Sequence, residues 1–600
     1  MNPLQALRAP YEVPPGERAQ GQPGALQGRL SQLLEDLEAN LPSGKQVKRG
    51  LYDTLLEARR VRPAFADAWI KVAPPQGAEL VWEYRLDGAT VRILNPKDGG
   101  ATLYWIVPDE YTAAVADLET LRDALAHVRR EGGAALRSVA LGDARRFVEE
   151  RALEFLRAEG GPATEGPEGL LKARALAGVV ARYTVGLGAL EHLLADPRVT
   201  DIYSDAPCGA QPLYVSLNNT DERVSDRLTT NITFAPEAIA ALVTRARLEA
   251  GRPFSEARPF LEHDLKEFGA RLTVIGPPVS PEGVAAAIRR HSSTPLTLVQ
   301  LVAAGAMTPM TAGLLSVMVE GQCSLLIGGA RGAGKTTLLG ALMLEMDPGK
   351  RILTIEDTLE LPVEAMRRAG YRVQALRVRS SLGGEGEMSA EEALKVSLRL
   401  GESALILGEV RGAEAQTLYE AMRTGAASSS VMGTIHGSPA SAVIARAVHD
   451  LGVSPESFAA TDAIVIAGLV RPGGARRQVR RVTEVAEVSL RDGEVATSNL
   501  LRHSGGVLEP TEASLQASAV VAKVAAAWGV SPAEVVGEVK ARAELKLRQV
   551  ALSQALGKPE LLDAQAAADL NAEYARLREA GLRGPMLVQG VVEFAKRRWT

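Results

Sequence analysis

The stretch Ser324-Leu-Leu-Ile-Gly-Gly-Ala-Arg-Gly-Ala-Gly-Lys-Thr-Thr-Leu-Leu339 decides how the rest of this chain is read. A short apolar run leads into a glycine-rich turn and then into a helical pattern. Gly329, Gly334, Lys335 and Thr336 fit the spacing G-x-x-x-x-G-K-[ST]. Each part has a reason in phosphate chemistry. Gly329, Gly332 and Gly334 let backbone N–H groups close around a β-phosphate, and the helix N-terminus adds positive potential. Lys335 supplies a point charge for β- and γ-oxygens, the Thr336 hydroxyl is placed to ligate Mg²⁺, and Thr337 completes the phosphate-binding set.

Working outward, apolar runs recur at Leu325–Ile327, Ile352–Ile355, Ala404–Leu407, Val431–Ile435 and Ile464–Ile466, with helical patterns between them. Short continuous runs suit strands buried on both faces, which predicts a doubly wound α/β core with a parallel sheet. In such sheets ligands gather beyond the carboxyl ends of the strands. Three of those ends carry chemistry. Glu409 closes Ala404-Leu-Ile-Leu-Gly-Glu-Val410, Glu356, Asp357 and Glu360 follow Ile352–Ile355, and Thr434 and His436 end the run from Val431. Hydrolysis of a γ-phosphate needs a metal, a carboxylate to polarise water and positive charge on the transferring group.

The flanks are less explicit. A chain of 600 residues suggests about four domains at about 150 residues each. Residues 1 to about 27 are rich in Pro, Gly and Gln and lack the apolar region of a signal peptide. Helical patterns follow at Leu30–Leu37 and Val47–Arg59. Val81–Leu86, Thr90–Leu94 and Leu103–Val107 alternate, and Asp87-Gly88 between the first two is a hairpin signal, so a β-meander is expected there with a helix after it, Ala113–Arg130. Trp69, Trp82 and Trp105 read as core or interface residues. A linker is expected at Gly160–Pro167, a helix at Leu170–Val185, and helices again at Pro532–Leu556 and Leu561–Arg578. Lys+Arg 68 against Asp+Glu 72 leaves no global field for nucleic acid, and no run of about 20 apolar residues spans a bilayer. Cys208 and Cys323 fit no metal-ligand spacing, which points to a reducing compartment.

Taken together, the boxes resemble the ATPases of type II and type IV secretion and type IV pilus assembly, the secretion protein E family. The phosphate loop Gly329–Thr336 is followed by Ile355-Glu-Asp-Thr-Leu-Glu-Leu-Pro362, Leu407-Gly-Glu-Val-Arg-Gly-Ala-Glu414 and, after Arg423-Thr-Gly425, Gly433-Thr-Ile-His-Gly437. The resemblance covers residues 190 to 490, and Asp196-Pro-Arg-Val-Thr-Asp-Ile-Tyr203 resembles the start of the family's N-terminal domain. The early meander and helical tail look most like archaeal members, which serve adhesion pili, the archaellum or related secretion machines. The resemblance implies a RecA-like P-loop core that binds ATP and Mg²⁺. It makes Glu409 the Walker B glutamate, with Thr336 and, partly through water, Glu409 at the metal. Glu356 becomes the general base, and His436 contacts the γ-phosphate region. It also implies a homo-hexamer in which arginines of the N-terminal domain reach nucleotide, here Arg271 and Arg289 or Arg290. The hexamer would be cytoplasmic, peripheral at the inner face of the membrane, and would work on a polytopic platform protein and, indirectly, on a pilin-like or secreted substrate.

The expected divisions are a mobile N-terminus with helices (1–65), a small meander-plus-helix domain (66–160), an α+β N-terminal domain (170–295), the ATPase core (296–490) and a helical C-terminal region (491–600). Two departures from the family pattern stand out. Ala426 and Ala427 follow Gly425 where many relatives have a second histidine, and two separated cysteines cannot build the four-cysteine zinc module, so no zinc is expected. Arg471, Arg476, Arg477, Arg480 and Arg481 cluster on an expected hairpin beside the last core strand, as a solvated rim or an acidic-lipid or partner patch. Two other readings stay open, a nucleic-acid translocase on a related core and a nonhydrolysing scaffold that uses nucleotide to assemble. Scarce aromatics (4%) and the balanced charge oppose the first. Glu356, Glu409 and His436 oppose the second.

Overall fold

The computed structural model describes residues 60–599 apart from 98, 137–140, 160–165, 219–222, 226, 291–294, 379–387, 402–403, 424–429, 475–477 and 505–506. The expected helices at Leu30–Leu37 and Val47–Arg59 lie outside the described residues, as do most of the Gly160–Pro167 linker, Gly425, Ala426, Ala427, Arg476 and Arg477. The chain divides into two compact units, residues 1–291 and 292–600.

The first unit is built on a nine-stranded sheet in the order Phe260–Leu265, Ala270–Ile275, Ala285–Arg290, Val199–Ser204, Tyr214–Leu217, Arg227–Thr230, Leu103–Pro108, Ala89–Asn95 and Glu79–Leu86. All neighbours run antiparallel except Leu103–Pro108 beside Arg227–Thr230, which are parallel. The meander therefore does not stand as the separate domain expected from the sequence. Its last strand would otherwise leave a row of unpaired N–H and C=O groups beside the buried Tyr104 and Ile106, and pairing with Arg227–Thr230 removes that edge. Buried polar groups bolt the junction. Asp196 accepts from the hydroxyls of Tyr84 (2.6 Å) and Tyr104 (2.7 Å), and the Asn231 side chain bonds both N–H and C=O of Ile106. Trp69 and Trp105 are buried, and Trp105 Nε1 donates to Val72 O. The helices Val115–Leu136, Leu141–Glu159 and Gly166–Thr184 pack around Leu121, Leu125, Val148, Leu156 and Val180.

The second unit holds an eight-stranded sheet. Its order is Arg372–Arg377, Arg351–Glu356, Ala404–Leu407, Val431–His436, Leu325–Gly329, Ala463–Val470, Val479–Arg491 and Glu494–Asn499. The first six strands are parallel and the last two antiparallel. The five apolar runs are the five central parallel strands, buried on both faces between two hydrophobic clusters. The region after 490 is not helical throughout, as the sequence reading had it. Asp492 and Gly493, both at positive φ, turn Val479–Arg491 into Glu494–Asn499, and a further hairpin of Leu501–Ser504 and Val507–Pro510 precedes the first helix at Glu512.

The long helix Pro532–Leu556 lies along Pro309–Glu320 so closely that a Cβ on Gly313 would sit 2.4 Å from Val539 O. Charge fills the same seam. Lys546 Nζ donates to Glu345 Oε1 at 2.8 Å with both side chains buried, Arg542 Nη1 donates to Ser316 Oγ at 2.8 Å, and Glu320 pairs with Arg542 and Arg578. Buried ion pairs contribute little net stability, but losing one partner leaves a costly charge. Among the described residues no single helix is long and apolar enough to cross a membrane; Ala519–Trp528 and Pro532–Leu556 meet that test only as a pair bent by 99°.

Candidate active site

The phosphate loop follows directly from its glycines. Leu325–Gly329 is a fully buried central strand, and the chain then turns through Gly332 (φ 77°) and Gly334 (φ 92°), left-handed values that disfavour any side chain. A Cβ on Gly332 would meet nothing within 4 Å, so its left-handed backbone, not crowding, sets the need for glycine there. Gly334 caps the helix Lys335–Met343, which leaves that helix's first N–H groups facing the loop. Lys335 is buried, Thr336 half-buried and Thr337 exposed.

Sheet register brings the boxes together. Gly329 pairs with His436 across adjacent parallel strands, Leu407 pairs with Gly433, and Ile355 pairs with Leu407. Lys335 Nζ donates to Ala330 O at 3.2 Å and lies 3.3 Å from His436 Nδ1. On the other side of the imidazole, Nε2 is 2.9 Å from Glu409 Oε1, which has no aligned hydrogen-bond donor. Glu409 is ion-paired with Arg411, whose Nη1 also donates to Asp357 Oδ2 at 2.8 Å. Lys335, His436, Glu409, Arg411 and Asp357 thus form one continuous polar chain across the carboxyl ends of the strands.

Glu356 lies buried beside this chain. Its Oε1 accepts from the N–H groups of Glu360 and Leu361, each at 2.9 Å, while Oε2 is buried without a partner. Burial pushes its carboxyl up to about 7, against the pull of those two N–H groups, and the Glu360 and Asp357 charges push the same way. His436 is held below the usual imidazole range. Burial is the largest cause; the Glu409 charge pulls the other way, and the Lys335, Arg446 and Arg411 charges add to the lowering. A Cβ on Gly408 would stand 2.8 Å from Glu356 Cγ, so the position next to Glu409 has no room for a side chain while Glu356 stays in place. Thr434 Oγ1 donates to Gly408 O at 2.6 Å and fixes that strand end.

The arginines singled out in the sequence belong to the first unit. Arg271 pairs with Asp264 at 3.2 Å and Glu262 at 3.5 Å, and Arg290 donates to Asp196 O at 2.5 Å. Arg289 sits opposite both Arg271 and Asp201 in the sheet register. One residue that the sequence reading placed on a rim touches the phosphate loop itself: Arg480 Nε donates to Gly332 O at 2.9 Å. The hairpin signal was present in the sequence, but the register that carries Arg480 over the loop was not.

The donor set fits a triphosphate and a divalent cation: loop N–H groups and an ammonium for phosphate oxygens, a hydroxyl and carboxylates for the metal, and two buried carboxylate oxygens, Glu356 Oε2 without a partner and Glu409 Oε1 beside the His436 ring without an aligned donor. Among the described residues no group of three or more His, Cys, Asp or Glu could hold a metal by itself.

The family match and the sequence relatives point the same way as the boxes. The family described as "Type II/IV secretion system protein" matches residues 188–521. A putative conjugal transfer protein of Mycobacterium tuberculosis is 31% identical over 319 residues, 52% of this chain and 86% of its own. The type IV secretion system protein PtlH of Bordetella pertussis is 34% identical over 132 residues, 22% of this chain and 38% of its own. Among solved structures, the Legionella pneumophila ATPase DotB aligns at 15% identity and a TM-score of 0.35, covering 68% of this chain and 94% of its own. With more than half of its length inside the matched segment, the chain belongs to the type II/IV secretion system protein family.

Proposed function

We propose that the chain is a motor ATPase that couples ATP hydrolysis to protein secretion or to the assembly of pilus-like filaments. The observation that carries this reading is the meeting of Lys335 and Glu409 on opposite nitrogens of His436, one strand pairing away from the phosphate loop. In this reading the second unit contains a RecA-like core, with Gly329, Gly332, Gly334, Lys335, Thr336 and Thr337 holding the phosphates. Bound Mg²⁺ would neutralise charge on the terminal phosphates, held by Thr336 and, partly through water, by Glu409. Glu356, with its carboxyl near the operating pH, takes the proton of the attacking water as general base. Glu409 orients that water, His436 senses the terminal phosphate, and the ion pair with Arg411 keeps Glu409 aimed. The familial assembly would be a homo-hexamer, cytoplasmic and peripheral at the membrane, acting on a polytopic platform protein. In it Arg271 and Arg289 or Arg290 would supply the remaining positive charge, Arg271 exchanging Asp264 and Glu262 for phosphate oxygens.

Steady-state ATPase and nucleotide-binding assays test the reading. Glu409→Gln binds ATP and hydrolyses it at least a hundredfold more slowly, on the order expected for a lost charge-positioning group, and Lys335→Ala loses binding. Wild-type turnover in both variants refutes the assignment. Turnover that rises with DNA and not with lipid or platform protein would favour a nucleic-acid translocase instead.

A further inference from the structure

Arg480 differs from Arg411 and Lys335, two cations near the phosphate loop that are already engaged. Arg411 is neutralised by Glu409 and Asp357, and Lys335 is engaged by Ala330 O and His436. Arg480 is exposed and makes no ion pair among the described residues; its one assigned contact there is Nε to Gly332 O. The sheet explains how it gets there. Ala463–Val470 pairs in parallel with the phosphate-loop strand, Gly328 opposite Ile466, and its antiparallel partner Val479–Arg491 starts beyond that strand's carboxyl end. Arg480, opposite Leu469, therefore overhangs the loop, and its Cδ would lie 3.5 Å from a Cβ on Gly334. Loop N–H groups that turn inward toward phosphate leave their carbonyls turned outward. A guanidinium docked on one of those carbonyls sits within a side chain's reach of the same phosphates.

We propose that Arg480 is a further nucleotide-binding residue, a guanidinium supplied by the same subunit that contacts the phosphate chain of bound nucleotide from the outer side of the loop. The proposal rests on the reading of the second unit as an ATP site. Nε keeps the loop carbonyl, and the two terminal nitrogens are the groups that would reach phosphate oxygens, the fork geometry that suits arginine to such ligands.

The test measures Kd for fluorescent (N-methylanthraniloyl) ATP and ADP on the full chain, across a salt series, for wild type, Arg480→Gln, Arg480→Lys and Lys335→Ala, with melting temperatures as a folding check. Arg480→Gln is expected to weaken both nucleotides about tenfold, as for one lost charge-assisted contact, and to flatten the salt dependence of Kd. Arg480→Lys is expected to keep the wild-type salt dependence and to lose less affinity than Arg480→Gln, because an ammonium keeps the charge but not the fork. Unchanged affinity in Arg480→Gln overturns the proposal. So does an equal loss in Arg480→Lys and Arg480→Gln with unchanged salt dependence, because that marks a loop-holding role through Gly332 O alone. No binding by wild type, or full binding by Lys335→Ala, refutes the ATP-site reading instead, so the two failures are distinguishable.

Discussion

Glu356 is a carboxylate folded into a place that disfavours its charge, and that makes it the sharpest handle on the site. Its pKa moves from 4.5 in the exposed state to about 7 in the folded one. A shift of that size corresponds to roughly 3 kcal/mol at about 1.4 kcal/mol per pKa unit. The direction follows from linkage. Between pH 4.5 and 7 the folded chain binds a proton that the unfolded chain has released, so folding carries no Glu356 ionisation cost below the lower value. As pH rises through about 7 the buried carboxylate must ionise, and the full cost is present above that. Glu356→Gln removes the titration while its side-chain oxygen can still accept from Glu360 and Leu361. Its added NH₂ takes the place of the unbonded Oε2 and costs about 1–3 kcal/mol at every pH. The readout is therefore the slope rather than the absolute value. Urea unfolding of wild type and Glu356→Gln at pH 5, 7 and 8.5 should show the variant gaining roughly 2.5 kcal/mol relative to wild type across that range, most of it between pH 5 and 7. The ATPase rate of wild type should rise through the same pH region, as a base near 7 requires. Parallel stability curves for the two proteins would show that Glu356 is not perturbed, and the argument for it as base would fall with them.

Other consequences are local. Gly408→Ala places a methyl 2.8 Å from Glu356 Cγ, which must shift; stability should drop by about 1–3 kcal/mol and the ATPase rate should fall with it. Gly313→Val forces its side chain into Val539 O, at 2.4 Å for Cβ alone, so limited proteolysis should release the C-terminal helices from a core that otherwise stays folded. Lys546→Met leaves Glu345 buried without its ion-pair partner and should cost about 3–5 kcal/mol in denaturant unfolding. Lys546→Met combined with Glu345→Gln should recover much of that loss.

The central strands were legible because burial on both faces writes itself as an unbroken apolar run, as in Ala404–Leu407. Arg372–Arg377 was not, since an outermost strand keeps exposed Arg372, Gln374 and Arg377 and reads as loop. The same holds for Glu494–Asn499, where Asp492-Gly493 carried a hairpin signal that went unread. Spacing along the chain brought the phosphate loop, Glu356, Glu409 and His436 into view, because each closes a strand and strand ends share one edge of a parallel sheet. What spacing could not carry is pairing between distant segments. The union of Leu103–Pro108 with Arg227–Thr230, the bridge from Arg411 to Asp357 and the placement of Arg480 on Gly332 all depend on sheet order and register, which no local pattern encodes.

The most direct trial of the account is a structure of the assembled protein with Mg²⁺ and a nonhydrolysable ATP analogue. It should show Lys335 Nζ and the N–H groups of the loop at about 3 Å from the terminal phosphates. Thr336 should lie at the metal, and Glu356, Glu409 and His436 should gather around the terminal phosphate. Nucleotide bound away from Lys335, or bound there with Glu356 and Glu409 facing elsewhere, would contradict it.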